Sequence, residues 1–112
     1  MTDTHEICAV DDIPDRQGRG FSVEHDGKTL EFFIVRYGEN FYGYINSCPH
    51  TGVNLNWQAD QFMDITGYQL QCSMHGALFR IRDGHCVYGP CLGRSLIPVK
   101  LELEKGRIKL VE

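Results

Sequence analysis

Hydrophobic and polar residues alternate with a period of two in several short segments of this chain. Near the C-terminus, Val99, Leu101 and Leu103 alternate with charged residues, and Lys105-Gly106 then offers a turn before a second alternating run over residues 107–110. Successive side chains of a β-strand point to opposite faces, so this pattern is typical of a strand with one buried face. The segment therefore predicts a hairpin with one face in the core and the other in solvent.

Two further turns separate strand-like runs in the first half of the chain. Asp26-Gly27 divides the run 21–35, and Tyr37–Asn40 precedes the aromatic run 41–45. Asp-Gly favours a two-residue hairpin turn because both positions can adopt a positive φ. The glycine-rich stretch 17–20 lacks the context of a dinucleotide site, so we expect it to be a flexible turn before a strand. No apolar stripe of helical period exceeds two turns, and the pattern predicts an all-β fold.

The middle of the chain is organised differently from its two ends. Short apolar runs at 69–71 and 78–81 lie between loops rich in Gly, Pro, Cys and His. The chain contains neither an internal repeat nor a low-complexity linker, and 112 residues are the length of one domain. We therefore expect a single domain over residues 1–112, with its functional loops within about 46–93.

The charge balance is acidic, with 11 Lys and Arg against 15 Asp and Glu. A net charge of −4 without a basic cluster argues against nucleic-acid binding and favours basic partners. Residues 1–13 lack the basic and long apolar regions of a signal peptide, and no apolar run is long enough to span a bilayer. These features predict a cytoplasmic protein.

Five cysteines occur, Cys8, Cys48, Cys72, Cys86 and Cys91, and an odd number cannot be explained by pairing alone. In a reducing compartment such thiols bind metals or take part in chemistry more often than they form disulfides. A metal site is therefore the first hypothesis to test against their spacing.

Two short boxes each combine one cysteine with one histidine: Cys48-Pro49-His50 and Cys72-Ser73-Met74-His75. Together they supply two thiolates and two imidazoles, a set that suits one tetrahedral zinc ion or a [2Fe–2S] cluster with two Cys on one iron and two His on the other. Zinc fingers usually place like ligands together, whereas here each box mixes the two types. The mixing favours the cluster, in which each loop must reach both irons.

The two boxes, each followed closely by a glycine, Gly52 or Gly76, resemble the cluster boxes of the Rieske [2Fe–2S] family. Gly89-Pro90 resembles the proline loop that shields the cluster in that family. The resemblance implies a base domain of antiparallel sheets that carries a small cluster-binding subdomain. It also implies the ligands: Cys48 and Cys72 on the inner iron, and His50 and His75 on the outer iron.

The resemblance is closest to the Rieske ferredoxins of bacterial oxygenase systems. It implies a one-electron carrier, not itself an enzyme, that docks transiently with an NAD(P)H-dependent flavin reductase and then with a terminal oxygenase. Three alternatives stay open: a nitrite reductase small-subunit-like protein, a redox- or iron-sensing binding module, and a zinc-stabilised domain. All four ligands are present, which disfavours the first because that group is expected to lack them.

Two positions after the second box bear on the reduction potential. High-potential relatives carry Ser and Tyr hydroxyls where this chain has Ala77 and Phe79, and a disulfide between their boxes for which this chain has no cysteines. Hydrogen bonds to cluster sulfur ease reduction, so their loss predicts a potential near the low end of the Rieske range, roughly −150 mV.

The remaining cysteines and histidines are expected to have ordinary roles. We expect Cys8 to pack in the first strand, and Cys86 and Cys91, which flank the proline loop, to be two reduced thiols near the site. His5, His25 and His85 are expected to be surface residues.

Overall fold

The computed structural model describes residues 4–25, 27–47, 62–64, 66–72, 77–89 and 93–111. The strands are β1 (Thr4–Ala9), β2 (Gly18–His25), β3 (Lys28–Tyr37), β4 (Asn40–Ile45), β5 (Gln69–Gln71), β6 (Leu78–Arg80), β7 (Cys86–Tyr88), β8 (Pro98–Glu104) and β9 (Arg107–Val111). A short 3-10 turn, Val10–Asp12, follows β1. All strand pairings are antiparallel, so the predicted all-β antiparallel fold is confirmed. No helix within the described ranges is long and apolar enough to cross a membrane.

Six strands form the larger sheet, in the order β1-β9-β8-β4-β3-β2. Its two halves meet where β4 pairs with β8, and only Gly43 with Val99 and Tyr44 with Pro98 are in register there. A Cβ atom at Gly43 would lie 2.6 Å from the Val99 Cγ2 atom. A side chain at this position would have to displace the side chains of Val99 and Leu101, so the glycine lets these two pack closely over β4.

The hairpins of the first half form at the predicted turns. β2 pairs with β3 around Gly27, which has a φ of 76°, and β3 pairs with β4 around Gly38, which has a φ of 65°. The expectation of a flexible turn at 17–20 is wrong, because Gly18 to Gly20 belong to β2. A Cβ atom at Gly18 would lie 2.8 Å from the Val35 Cγ1 atom. This glycine allows close packing of neighbouring side chains rather than flexibility.

The C-terminal hairpin also forms as predicted, with positive φ angles at Lys105 and Gly106. Ile108 and Leu110 on β9 are buried. The expectation of a fully buried apolar face is wrong for Leu103, which is 46% exposed. Leu103 lies two residues before the turn. Strand β8 pairs with β4 only at Pro98 and Val99, so Leu103 is in the part of β8 that extends beyond β4.

Strand β3 separates two hydrophobic cores. Phe32 and Ile34 face one core, which also contains Cys8, and this confirms that Cys8 packs in the first strand. Phe33 and Val35 face the other core. All four β3 side chains have no exposed surface, so this strand is an uninterrupted apolar run rather than an alternating one.

The second core joins the larger sheet to a three-stranded sheet with the order β5-β6-β7. Phe33 stacks on Phe62, with ring centroids 4.3 Å apart and planes 11° from parallel. Tyr44 donates its hydroxyl proton to the carbonyl oxygen of Ile81 at 2.5 Å. Burial raises the pKa of Tyr44 far above its ordinary value, so the hydroxyl keeps its proton and continues to donate.

Residues 94–97 connect the two sheets by backbone hydrogen bonds. The Cys86 N–H donates to the Arg94 carbonyl at 2.8 Å, and the Leu96 N–H donates to the Gly84 carbonyl at 2.9 Å. On the other side, the Ile45 N–H at the end of β4 donates to the carbonyl of Ile97 at 2.8 Å. The end of β4 and the small sheet are thereby held in one fixed arrangement.

Candidate metal centre

The second Cys-His box lies at the end of the β5–β6 hairpin. Gln69, Leu70 and Gln71 pair with Arg80, Phe79 and Leu78 in that order. The next pair continues the ladder, because the Cys72 N–H donates to the Ala77 carbonyl at 2.9 Å. Cys72 and Ala77 therefore form the last pair of the hairpin stem on either side of residues 73–76, which lie outside the described residues.

The surroundings of Cys72 suit a thiolate bound to metal. Its side chain has no exposed surface and belongs to the core that contains Leu70, Ala77 and Cys86. An ionised thiolate is strongly disfavoured in an apolar setting unless a cation compensates its charge. Iron provides that charge, so a thiol at this position fits the inner side of a [2Fe–2S] cluster.

The first box follows β4 directly, and the stem that carries it is well anchored. The Asn46 N–H donates to the Glu31 carbonyl at 3.0 Å, and the Ser47 N–H donates to the Ile45 carbonyl at 2.9 Å. The ligands Cys48 and His50 assigned to this box lie outside the described residues, as does His75 of the second box. Their assignment stays a prediction.

The segment before the predicted proline loop packs against the stem of the second box. Strand β7 carries a bulge there: Leu78 pairs with Tyr88 and Phe79 with Cys86, which leaves Val87 as the extra residue. A bulge bends its strand and redirects the chain that follows.

Gly89 follows the bulge and touches the stem directly. It has a φ of 103°, and a Cβ atom there would lie 2.8 Å from the Ala77 Cα atom. The loop that begins at Gly89 therefore starts in contact with the second-box stem. Pro90 and Cys91 lie outside the described residues.

Cys86 has a packing role that its position beside the proline loop does not indicate. Its side chain has no exposed surface and lies in the same core as Cys72. Its thiol donates to the Tyr88 carbonyl at 3.2 Å, across the bulge. The sequence only weakly indicates this packing role, because a single cysteine in a three-residue strand shows no alternation of hydrophobic and polar residues.

The segment after the first box contributes a core residue that the sequence pattern did not reveal. Phe62 is fully buried, and its carbonyl accepts the Gln71 N–H at 3.0 Å. The Asp64 N–H donates to the Gln69 carbonyl at 2.9 Å. Residues 62–64 thus pair with the outer edge of β5. Phe62, which stacks on Phe33, therefore lies in a segment that the sequence pattern assigns to a loop.

The other residues singled out for chemistry occupy structural positions. Ala77 and Phe79 are buried and carry no hydroxyl that could donate to cluster sulfur. His85 is half-buried, with its Nδ1 atom 3.1 Å from the Ser95 hydroxyl oxygen. Among the described residues, no three His, Cys, Asp or Glu side chains gather into a metal site. Cys72 is thus the one predicted ligand whose surroundings the described ranges reveal.

Comparisons with known proteins agree with this arrangement. The model of the Rieske [2Fe–2S] domain matches residues 3–106. The ferredoxin component of the p-cumate 2,3-dioxygenase system of Pseudomonas putida is 34% identical over 92 residues, which are 81% of this chain and 71% of that protein.

Solved structures show the same fold at lower sequence identity. A chain in the complex of reduced oxygenase and oxidized ferredoxin in carbazole 1,9a-dioxygenase has a TM-score of 0.75 at 23% identity, covering 96% of this chain and 91% of that one. A Mycobacterium tuberculosis structure assigned as an NADH-dependent nitrite reductase small subunit has a TM-score of 0.70 at 20% identity. The match covers 100% of this chain and 96% of that one. The fold alone thus does not distinguish these two kinds of protein.

The family model extends over both boxes and nearly all strands, and the P. putida relative is an electron-carrying component. A Rieske cluster is bound by two cysteines and two histidines and exchanges one electron at a time. The chain belongs to the Rieske [2Fe–2S] domain family, as a ferredoxin-type electron carrier with a cluster of that kind.

Proposed function

We propose that this protein carries single electrons from an NAD(P)H-dependent flavin reductase to a terminal oxygenase in the cytoplasm. The observation that carries the proposal is the 34% identity to a ferredoxin component of a dioxygenase system. The complex of oxygenase with ferredoxin among the structural neighbours is consistent with it. The nitrite reductase alternative has support from fold similarity alone.

We further propose that Cys48 and Cys72 bind the inner iron and that His50 and His75 bind the outer iron. The position of Cys72 in the last described pair of the β5–β6 hairpin, directly before the rest of the second box, supports its role as a ligand of the inner iron. Cys72 pairs with Ala77 at the end of the β5–β6 hairpin, three residues before His75, and the first box begins three residues after the end of β4. The bound cluster supplies the one-electron chemistry, and the protein holds and shields it.

The bulged strand β7 offers a docking surface next to these loops. Tyr88 is 64% exposed, and Val87 beside it is 36% exposed. Exposed aromatic side chains are frequent anchors in protein interfaces, because they bury a large area at a low entropy cost. We infer that an electron-transfer partner covers Tyr88 while it approaches the histidine side of the cluster, in a small and transient interface.

Rapid mixing of reduced protein with an oxidised oxygenase tests whether this protein delivers electrons to an oxygenase. The oxygenase of the p-cumate 2,3-dioxygenase system is a suitable acceptor, because its ferredoxin is the 34% identical relative. We expect oxidation of the ferredoxin upon mixing, and a second-order rate constant about tenfold lower for Tyr88→Lys, corresponding to a loss of about 1.4 kcal/mol.

Leu103→Lys is the matched control for Tyr88→Lys. Leu103 is also an exposed apolar residue on a strand, but it lies at the turn end of the β8–β9 hairpin. The Leu103→Lys substitution should leave the rate constant of electron transfer unchanged. Absence of transfer to this oxygenase and to other oxygenases of the same class would contradict the proposed circuit, and equal effects of both variants would contradict the docking surface.

A further inference from the structure

A cleft opens beside the Gln69–Arg80 pair of the small sheet, at the end of the β5–β6 hairpin that is farther from Cys72. It encloses about 400 Å³, within the range of roughly 300–1,000 Å³ that is usual for ligand pockets. Its lining includes three tyrosines, two arginines and one buried aliphatic residue: Tyr37, Tyr42, Tyr68, Arg80, Arg82 and Ile81.

The aromatic wall of the cleft is held in place by contacts within the protein. The rings of Tyr37 and Tyr68 meet at 59°, with centroids 6.1 Å apart. The Arg16 guanidinium lies 5.3 Å from the centroid of the Tyr68 ring, and its Nη1 atom donates to the Tyr68 hydroxyl at 3.1 Å. Two rings in fixed orientation form a preorganised surface for a planar apolar group.

The charge of the cleft is opposite to that of the whole chain. The net charge is −4, but no carboxylate is among the described residues that line the cleft. Arg80 binds Asp83 through two hydrogen bonds, of 3.1 and 2.7 Å, and the backbone N–H of His85 also donates to Asp83. Arg82 has no hydrogen-bond or ion-pair partner among the described residues. Its positive charge interacts with the nearby carboxylate of Asp83, but its N–H groups donate to none of the described residues and can therefore donate to an added anion.

We propose that this cleft binds an aromatic carboxylate, with the ring against the tyrosines and the carboxylate on Arg82. A planar guanidinium can bind both oxygens of a carboxylate, which sets the orientation of the ring. The carboxylate is either on a free aromatic acid or on an acidic side chain next to an aromatic one in a partner's peptide segment. Both sources share the same chemistry.

The cleft lies beside the end of the β5–β6 hairpin that is farther from Cys72. Gln69 and Arg80 form the strand pair farthest from the Cys72–Ala77 pair, which is three pairs away, or about 10 Å. The proposal does not depend on which proteins donate and accept electrons.

Titration of the cluster-loaded protein followed by amide chemical shifts tests the proposal. The probes are 2-naphthoate, its neutral analogue 2-naphthamide, and acetate. We expect 2-naphthoate to shift the amides of Thr66, Gln69 and Arg82, with a dissociation constant on the order of 1 mM. We expect about fivefold weaker binding of the amide, because it lacks the charge, and no measurable binding of acetate, because it lacks the ring.

Variants of exposed arginines identify the site. Arg82→Gln should weaken 2-naphthoate binding about fivefold, and Arg82→Lys should restore part of the loss. Arg107→Gln is the matched control, because Arg107 is exposed, lies on β9 and pairs with Glu6. Absence of 2-naphthoate binding, or equal affinity in Arg82→Gln and the unaltered protein, would overturn the proposal.

A peptide probe distinguishes the two sources of the ligand. Acetyl-Glu-Trp-Glu-amide presents the same chemistry in peptide form. Tighter binding of this peptide than of 2-naphthoate, with the same loss in Arg82→Gln, would support a protein segment as the ligand. Tighter binding of 2-naphthoate would support a free aromatic acid. Rates of electron transfer play no part in these measurements, so failure here is distinguishable from failure of the proposed circuit.

Discussion

Three buried cysteines have the same side chain but different surroundings. Cys8 packs in the core of the larger sheet, where burial, and to a lesser extent Asp12, raise the pKa of its thiol. Cys72 pairs with Ala77 at the end of the β5–β6 hairpin, and Cys86 lies across a bulge from Tyr88. A raised pKa keeps the Cys8 thiol protonated and unreactive. The role of each cysteine therefore follows from its neighbours and not from its residue type.

Replacing Cys72 by serine should abolish the cluster. A hydroxyl at this buried position is a poor ligand for iron, so we expect complete loss of the visible absorbance and of the electron spin signal of the reduced protein. The β8–β9 hairpin lies in the other sheet and should remain folded, as judged by circular dichroism. Cys8→Ala is the control and should retain full colour. A fully coloured Cys72→Ser protein would disprove the ligand assignment.

Gly89→Ala should destabilise the protein more than Gly93→Ala. Both glycines have a positive φ, but a Cβ atom at Gly89 would lie 2.8 Å from the Ala77 Cα atom, whereas nothing lies within 4 Å at Gly93. We expect an additional loss of about 1–3 kcal/mol in the free energy of unfolding for Gly89→Ala. Chemical denaturation measures both, and equal losses would mean that the contact with Ala77 is unimportant.

At the scale of elements, a few contacts hold the small sheet on the larger one. The hydroxyl of Tyr44 on β4 reaches the Ile81 carbonyl just after β6, and the Phe62 ring stacks on Phe33 of β3. Residues 94–97 add backbone hydrogen bonds to both sheets. These contacts hold β4, which precedes the first box, and the β5–β6 hairpin, which leads into the second, in one relative position. A cluster bound by both boxes requires such a fixed arrangement.

Tyr44→Phe should lower the free energy of unfolding by about 1–2 kcal/mol, because it leaves the buried carbonyl of Ile81 without that partner. Tyr42→Phe is the control, because Tyr42 is only half-buried and makes no hydrogen bond among the described residues; its effect should stay below about 0.5 kcal/mol. Urea denaturation of the two variants measures the difference. A loss in Tyr42→Phe as large as that in Tyr44→Phe would contradict the proposed role of the hydroxyl.

The turn between β6 and β7 should make stability depend on pH in the acid range. The His85 N–H and, to a smaller extent, Arg80 lower the pKa of Asp83 below its ordinary value of 3.8. Because the folded-state pKa is the lower one, this contribution is present above pH 3.8 and is lost as the pH falls through the lowered value.

Asp83→Asn should therefore reduce the loss of stability between pH 5 and pH 2. The effect should be small, because the side chain of Asp83 is 44% exposed and its charge is screened by solvent. Thermal unfolding across this range measures it. An unchanged pH profile in Asp83→Asn would show that this turn contributes nothing to acid sensitivity.

At the scale of the whole molecule, the two predicted boxes follow strands of different sheets. The first box comes after β4 of the larger sheet, and the second begins after β5 of the small sheet. The cleft lined by Tyr68 and Arg82 lies beside the end of the β5–β6 hairpin that is farther from Cys72. The proposed ligand site therefore lies about three strand pairs from Cys72.

The reduction potential is a property of this whole environment, and we expect it near the low end of the Rieske range, roughly −150 mV. Ala77 and Phe79 are buried without a hydroxyl, and the Cys72 N–H is bonded to the Ala77 carbonyl. Neither these two side chains nor the Cys72 N–H is therefore available to spread the extra negative charge of the reduced cluster. Redox titration followed by absorbance measures the potential, and a value well above 0 mV would contradict this prediction.

The predicted ligand set and the local hairpins follow from residue types and from preferences that act within a few residues. Two Cys-His boxes define a ligand set by residue type and spacing, and Lys105-Gly106 forms its turn from backbone preferences that act within a few residues. The exposure of Leu103 was not predictable in this way, because it depends on where β8 ceases to pair with β4.

Which faces of the sheets meet depends on contacts between distant parts of the chain. The pairing of β1 with β9, the stacking of Phe62 on Phe33 and the contact of Gly89 with Ala77 each join residues distant in the sequence. Such contacts depend on the packing of whole sheets, and alternation along one strand carries no information about the layer that will cover it. The cleft with Arg82 arises in the same way, since three separate segments must come together before its charge and shape exist.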